Sequence, residues 1–398
     1  MSDPIVLFCG GLAGDGVARN TVHLANALTQ RGARVTVICL KGGPLAADLR
    51  GAEVACLGWR EGPRGLALAA AVPALRRGLG SAKPAVVVSM GNHAHLAAWA
   101  ALRGLPDTPR IYRISNDPAH GGASGAGVRG LGLGLVARDA TKLVCVSAAI
   151  AARKPFRRAR RDRRVHILPN GVDLHAVRAH AAHPVDHPWL EGAPFLVAVG
   201  RLHRQKNYEA LIDALAVARA GGHPDLRLLV LGAGPRAWRA TLETRARAHG
   251  LSDAVRLEGE LANPFPLMSR AAAYVLPSLW EGASNSLLEA LACGVPVVAS
   301  RTAGNACEVL GAGRFGALAD PRDPGDLARA ILAQLDPARR IRPADRAADF
   351  ALGAVTDRLC GIVLAARSAH DEIQMQAAGG GHLQPLSSPL RGRNNTEY

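Results

Sequence analysis

Two glutamates, Glu281 and Glu289, are separated by seven residues in the phrase EGASNSLLEALACG. An ionised carboxylate only accepts hydrogen bonds, so these side chains suit the hydroxyl groups of a sugar better than the oxygens of a phosphate. Each glutamate taken alone is also compatible with an ordinary loop or helix position worth well under ~1 kcal/mol. The pair therefore indicates a site for a ligand rich in hydroxyl groups, provided that the surrounding elements bring both carboxylates to one place.

The residues around the glutamates predict a strand, a loop and a helix. A β-prone run over 272–276 stops at Pro277, and the helix is expected from about Ser286 to Gly294, before a buried strand at 296–299. The loop supplies turn residues and an N-cap, at Gly282, Ser284 and Asn285. A helix amino terminus at the carboxyl end of a strand makes an anion site, so an anion site is expected at the start of this helix.

The amino terminus repeats this pattern with a glycine-rich turn. A strand over 5–9 runs into glycines 10, 11, 14 and 16, and a helix and a second strand follow. A dinucleotide site is the alternative reading of such a turn. The third glycine of that fingerprint is missing, however, and Lys41 stands where an acidic ribose ligand would be expected, so a nicotinamide site is disfavoured.

Strands and helical stretches alternate along most of the chain, which predicts an α/β protein with doubly wound parallel sheets. We expect a first domain over 1–180 and a second over 194–345, with a linker around His175 to Gly192. A helical stretch over 347–366 is expected to complete the first domain. Residues 374–398 have the composition of a disordered tail.

The bulk composition excludes several classes of protein. The chain has 398 residues, which suits two domains, and it lacks a run of ~18 apolar residues that could span a bilayer. The amino terminus has no basic region before its apolar run, so we expect a cytoplasmic protein. Seven scattered cysteines without C-x2-C pairing are expected to be reduced core residues that bind no zinc.

The positive charge is concentrated in the first half of the chain. Residues 1–190 carry a net charge of +14 and the remainder carries +2. A basic face implies an anionic partner, and with only 4% aromatic residues a lipid surface is favoured over nucleic acid. The segment Arg153 to Arg164 holds eight cations and one acid. An exposed, solvated run without a binding role, in a protein rich in arginine, explains this segment equally well.

The phrase EGASNSLLEALACGVPVVAS resembles the E-x7-E signature of the retaining, family-4 glycosyltransferases. The phrases VHILPNGVD, at 165–173, and GRLHRQKN, at 200–207, share this resemblance, which extends over roughly 5–366. It implies a GT-B architecture, in which two Rossmann-like domains face each other across a cleft. In this architecture the second domain holds the nucleotide sugar and the first holds the acceptor.

The resemblance also implies roles for individual residues. Arg201 and Lys206 would bind the donor diphosphate and act in catalysis, together with Glu281, which would hold the transferred sugar. Glu289 would bind the nucleotide ribose. The donor would also meet the amino-terminal loop and the start of the helix, at Gly11, Gly14, Gly16, Asn285, Ser286 and Leu287. No metal and no cofactor are expected, since the substrate is itself a UDP- or GDP-linked sugar.

On the acceptor side, the loop SNDPAHGG supplies the candidates Asn116, Asp117 and His120. Many relatives place a histidine directly after this strand, whereas here the asparagine and the aspartate follow it. His120 could equally be an exposed residue without a role.

The resemblance implies a retaining, metal-independent hexosyltransferase of cell-envelope polysaccharide or glycolipid synthesis. The acceptor would be a glycan or a lipid-linked molecule, and the enzyme could dock on the inner face of the plasma membrane. Two alternatives stay open: a nucleotide-sugar 2-epimerase on the same fold, and a non-catalytic subunit that binds nucleotide sugars.

Overall fold

A computed structural model describes residues 3–13, 16–58, 64–105, 108–117, 126–343 and 345–379. These residues form two parallel sheets with helices on both faces, so the predicted doubly wound α/β fold is confirmed. Gly14 and His120, two of the predicted site residues, lie outside the described residues.

The first sheet has seven strands in the order β3-β2-β1-β4-β5-β6-β7. Its central strands are buried along nearly their whole length, which is the environment of a parallel strand covered on both faces. The strands are β1 Ile5–Gly11, β2 Val35–Lys41, β3 Glu53–Cys56, β4 Val86–Ser89, β5 Arg110–Ile114, β6 Lys142–Cys145 and β7 Val165–Ile167. The helices are α1 Gly16–Gln30, α2 Arg64–Ala82, α3 His95–Ala101, α4 Ala126–Asp139, α5 Ala148–Ala151 and α6 Arg157–Arg161.

The second sheet has six strands in the order β10-β9-β8-β11-β12-β13. They are β8 Phe195–Val199, β9 Arg227–Leu231, β10 Val255–Gly259, β11 Ala273–Leu276, β12 Val297–Ser300 and β13 Ala317–Ala319. The helices of this half are α7 Leu174–Ala181, α8 Tyr208–Ala220, α9 Arg236–Ala248, α10 Phe265–Arg270, α11 Asn285–Ala292, α12 Ala306–Val309 and α13 Pro324–Leu335.

The linker expected over His175 to Gly192 is wrong in its first part, because Leu174–Ala181 forms helix α7. Asp173 caps this helix, since its Oδ1 accepts a hydrogen bond from the Ala176 amide at 2.9 Å. Val177 on α7 packs into a core cluster of the second sheet. The histidine-rich composition of this stretch therefore did not predict the helix, which has a capping aspartate and one buried apolar residue.

The chain passes between the two halves twice, at neighbouring points. Val172 and Ala351 form a parallel bridge, and the Leu352 amide donates to the Val172 carbonyl at 2.9 Å. The final helix, α14 Leu352–Gly379, then packs on the first sheet through apolar residues such as Val355 and Val363. This helix continues past 374, where a disordered tail was expected, and residues 380–398 lie outside the described residues.

No helix within the described part of the chain is long and apolar enough to cross a bilayer.

Candidate functional site

A cleft of about 1000 Å³ opens between the two sheets, at the carboxyl ends of their central strands. Each sheet reverses its strand order there, between β1 and β4 and between β8 and β11, and doubly wound proteins bind ligands at such points. The predicted site residues that line this cleft are Gly11, Gly16, Asn116, Arg201, Lys206, Glu281 and Asn285. Residues that are far apart in the sequence therefore meet in one place.

Three side chains hold Glu281 in a fixed position. Its Oε1 accepts hydrogen bonds from Lys206 Nζ at 2.7 Å and from Ser278 Oγ at 2.9 Å, and its Oε2 accepts one from Gln205 Nε2 at 3.1 Å. The side chains of Lys206 and Glu281 are only 15% and 11% exposed, so water screens this ion pair poorly. Removal of either partner would leave a shielded charge without compensation.

Arg201 differs from Lys206 because no described residue neutralises its positive charge. The residue is exposed, lines the cleft, and makes no hydrogen bond or ion pair with any described residue. Its guanidinium can therefore form bidentate hydrogen bonds with a phosphate that enters the cleft.

Two helices begin at the cleft. Ser284 is the N-cap of α11, since its Oγ accepts a hydrogen bond from the Leu287 amide at 3.4 Å. Gly16, the first residue of α1, lies so close to this point that a Cβ there would stand 2.9 Å from Asn285 Nδ2. The positive ends of both helix dipoles meet in the same space, which favours an anionic ligand.

Asn170 links the two halves beneath this anion site. Its Oδ1 accepts a hydrogen bond from Arg113 Nη2 at 2.7 Å, while its Nδ2 donates to Asn285 Oδ1 at 2.7 Å and to the Ala283 carbonyl at 3.2 Å. Strand β5 of the first sheet is thereby tied to the start of α11. Motif reading missed Arg113 and Asn170 as site residues, although Asn170 belongs to the phrase VHILPNGVD.

Three of the predicted donor residues on α11 do not line the cleft. Ser286 Oγ lies 2.7 Å from the Tyr274 hydroxyl oxygen, and Leu287 is fully buried in the core. Glu289 is half-buried, and burial raises the pKa of its carboxyl, an effect that the positive charge of Arg19 partly opposes. Their contacts with a nucleotide sugar stay predictions.

The acceptor candidates have different environments. Asn116 lines the cleft, and its carbonyl accepts a hydrogen bond from Asn92 Nδ2 at 2.7 Å. Asp117 instead forms an ion pair with Arg153 and is only 8% exposed, so its carboxylate supports the loop. A structural task for Asp117 was not visible in the sequence, because its partner lies 36 residues further along the chain.

The cleft is strongly positive. Among its described lining residues, Glu281 is the only acid, and the cations are Arg19, Lys41, Arg113, Arg201 and Lys206. No group of three His, Cys, Asp or Glu residues with metal-binding geometry occurs in the described ranges. The arrangement can stabilise developing negative charge with side chains and helix dipoles.

The two halves are in close contact at Gly282. A Cβ at this position would stand 2.3 Å from the Ser115 carbonyl oxygen and 2.7 Å from Asn116 Cα, both in the backbone of the first domain. Gly282→Ala is therefore expected to push the halves apart and to lower turnover by about a hundredfold, while each domain stays folded. Turnover and small-angle scattering with a saturating nucleotide measure the two effects.

The matched control is Gly134→Ala on α4, where an added Cβ would meet nothing within 4 Å. This variant should keep the activity and the scattering profile of the parent. Full activity in the Gly282 variant would show that catalysis does not need this contact.

Two family models match the chain in succession. "Glycosyl transferase 4-like domain" matches residues 15–171, and "Glycosyl transferases group 1" matches residues 193–336. Together they cover the second sheet and all of the first sheet except strand β1.

Curated relatives match over part of their length. The Campylobacter jejuni N-acetylgalactosamine-N,N'-diacetylbacillosaminyl-diphospho-undecaprenol 4-alpha-N-acetylgalactosaminyltransferase is 29% identical over 174 residues, 44% of this chain and 45% of that protein. The 2-deoxystreptamine glucosyltransferase of Streptomyces kanamyceticus is 32% identical over 185 residues, 44% of this chain and 46% of that protein. The chain thus spans about half the length of the curated relatives it matches.

Among solved structures, Anabaena HepE in complex with UDP and glucose superposes with a TM-score of 0.76 at 19% identity, covering 92% of this chain and 100% of HepE. At this identity the likeness concerns the fold, which is GT-B. With both domains matched by their family models and the whole arrangement matched in three dimensions, the chain belongs to the GT-B glycosyltransferases of the family-4 type.

Proposed function

We propose that the protein is a retaining glycosyltransferase that moves a hexose-type sugar from a UDP- or GDP-linked donor to a glycan or lipid-linked acceptor. The observation that carries this proposal is the cleft in which the Lys206–Glu281 pair and Arg201 lie beside two helix amino termini. Family membership supports the reaction class. The UDP and glucose of the HepE structure and the lipid-linked acceptor in the Campylobacter enzyme's name support the choice of substrates.

The positive charges match the demands of the bond that breaks. When the sugar leaves the diphosphate, negative charge develops on the leaving oxygen, and groups already aimed at that oxygen lower the barrier. Arg201, Lys206 and the start of α11 supply such groups, so we propose that the transfer needs no metal ion.

The environment of Glu281 argues against a role as nucleophile, so we propose that retention does not proceed through a glutamate–sugar intermediate. Both of its carboxylate oxygens already accept hydrogen bonds, from Lys206, Ser278 and Gln205, and this weakens them as nucleophiles. Glu281 is better placed to hold sugar hydroxyls. The departing phosphate oxygen takes the proton of the acceptor hydroxyl while the new glycosidic bond forms on the same face of the sugar.

Mass spectrometry of products from a panel of nucleotide sugars and acceptors tests this proposal. A new glycoside whose anomeric configuration by NMR equals that of the donor is the expected result. An inverted product would contradict the retaining mechanism. An isomerised nucleotide sugar formed without acceptor would favour an epimerase, and nucleotide binding without any product would favour a non-catalytic subunit.

We further propose that the first domain docks on an anionic membrane face to reach a lipid-linked acceptor. The net charge of +14 over residues 1–190 supports docking, as does the basic segment Arg153 to Arg164. Within this segment Arg157, Arg158 and Arg161 are exposed on α6. Arg160 and Arg164 have structural tasks, since they donate hydrogen bonds to backbone carbonyls.

Replacement of Arg157, Arg158 and Arg161 by glutamine should release the protein from anionic vesicles and leave UDP affinity unchanged. At about 1 kcal/mol per cation near the bilayer, vesicle affinity should fall roughly a hundredfold, and salt should weaken the binding of the parent. Co-sedimentation with vesicles measures this. A matched control replaces three exposed arginines of the second half, Arg236, Arg247 and Arg322. Docking by this segment would be refuted if both variants lost vesicle affinity equally. It would also be refuted if the parent protein did not bind anionic vesicles at low salt.

A further inference from the structure

Arg113, in strand β5, is the most deeply buried cation of the described cleft wall. Only 2% of its surface is exposed, yet it lines the cleft. Its Nη2 donates to Asn170 Oδ1 at 2.7 Å, and its Nε has no hydrogen-bond partner among the described residues. The guanidinium is therefore only partly satisfied by the protein.

Arg113 also lacks an oppositely charged partner among the described residues. Arg110, on the same strand and 8% exposed, forms an ion pair with Asp139, as a buried arginine normally does. No described carboxylate pairs with Arg113, and burial lowers the pKa of its guanidinium to about 10. Since a buried cation without an anion is costly, the cleft is suited to a ligand that brings negative charge to this place.

The second domain offers its own cations for the donor diphosphate. Arg201 and Lys206 face the cleft from the second domain, beside the start of α11. Arg113 faces it from the first domain, two residues before Ser115. There Asn92 accepts a hydrogen bond from the Ser115 amide at 2.9 Å and donates one to the Asn116 carbonyl at 2.7 Å. This wall combines one buried cation with polar groups that suit sugar hydroxyls.

We propose that Arg113 binds a phosphoryl group of the acceptor, so that the acceptor is a phosphorylated or diphosphate-linked molecule. The proposal rests on the glycosyltransferase function and names the class of its second substrate. A phosphoryl group could also reach Arg113 from the donor, and the experiment separates these two sources.

Inorganic phosphate serves as the probe, and its binding to protein saturated with UDP is followed by ³¹P NMR at constant ionic strength. UDP fills the donor site, so phosphate should still bind to the parent protein. Arg113→Met should weaken this binding tenfold to a hundredfold, because a charge-assisted hydrogen bond is lost, and Arg113→Lys should restore part of it. UDP affinity should change less than threefold in both variants.

Arg34→Met is the matched control, because Arg34 is an exposed arginine of the first domain that lies outside the cleft. This variant should bind phosphate and UDP as the parent does. If Arg113 had only a structural role, Arg113→Met and Arg113→Lys would instead lose phosphate binding alike. If UDP abolishes phosphate binding in the parent, the anion at Arg113 belongs to the donor and the acceptor assignment is overturned. No phosphate binding to the UDP complex, or equal binding by Arg113→Met, overturns it as well. Arg113-dependent phosphate binding in a protein that binds neither UDP nor GDP would instead refute the glycosyltransferase proposal and keep the anion site.

Discussion

Lys206→Met is expected to lower turnover by about 10²–10³-fold and UDP affinity by roughly tenfold to a hundredfold. The substitution removes a cation from the cleft, and it also leaves Glu281 as a shielded negative charge beside the incoming phosphates. Both effects act against an anionic ligand. Titration calorimetry with UDP and initial-rate kinetics with the product-forming pair of substrates measure them.

The double variant Lys206→Met with Glu281→Gln separates the two effects. It removes both charges, so thermal stability and UDP affinity should recover relative to the single Lys206 variant, whereas turnover should stay low. Lys142→Met, at the start of β6 and outside the cleft, is the control and should match the parent. Additive losses in the double variant would show that the 2.7 Å contact between Lys206 and Glu281 carries no coupling.

Glu281→Gln is expected to lower turnover by at least about a hundredfold while UDP affinity stays the same or rises several-fold. The amide has the same shape as the carboxylate and can still accept a hydrogen bond from Ser278, but it no longer neutralises Lys206. The freed ammonium then attracts the diphosphate more strongly. Calorimetry with UDP, which lacks the sugar, isolates this effect from the loss of sugar positioning.

Glu289→Gln is the matched comparison, because it makes the same chemical change eight residues further along. If Glu289 binds the nucleotide ribose, its variant should lose roughly tenfold in UDP affinity, since a hydrogen bond to a charged group is lost. The two variants are then distinguished because only the Glu289 variant should lose affinity for UDP. A common pattern in both would refute the proposed division of roles.

The sequence determined the scaffold of this protein because the relevant signals are local. Buried strands appear as apolar runs, and the glutamate unit was predicted as strand, loop, helix and strand; the structure contains β11, α11 and β12 there. The E-x7-E and GRLHRQKN phrases likewise indicated the family and four residues that line one cleft, namely Arg201, Lys206, Glu281 and Asn285. Composition alone gave a wrong prediction for the histidine-rich stretch after Asp173, where a linker was expected and the structure has helix α7.

Only the tertiary structure decided which charges are already engaged and which are free to bind a ligand. Lys206 is 75 residues from Glu281, and Asn170 is 57 residues from Arg113 and 115 from Asn285. Asp117 turned out to pair with Arg153, while Arg113 has no described carboxylate partner. A charged side chain binds whatever lies within a few ångströms, and its desolvation depends on how deeply the fold buries it. Both quantities are set by the tertiary structure, because residues distant in the sequence become neighbours only when each domain folds, as for Lys206 and Glu281, or when the two domains pack together, as for Asn170 and Asn285.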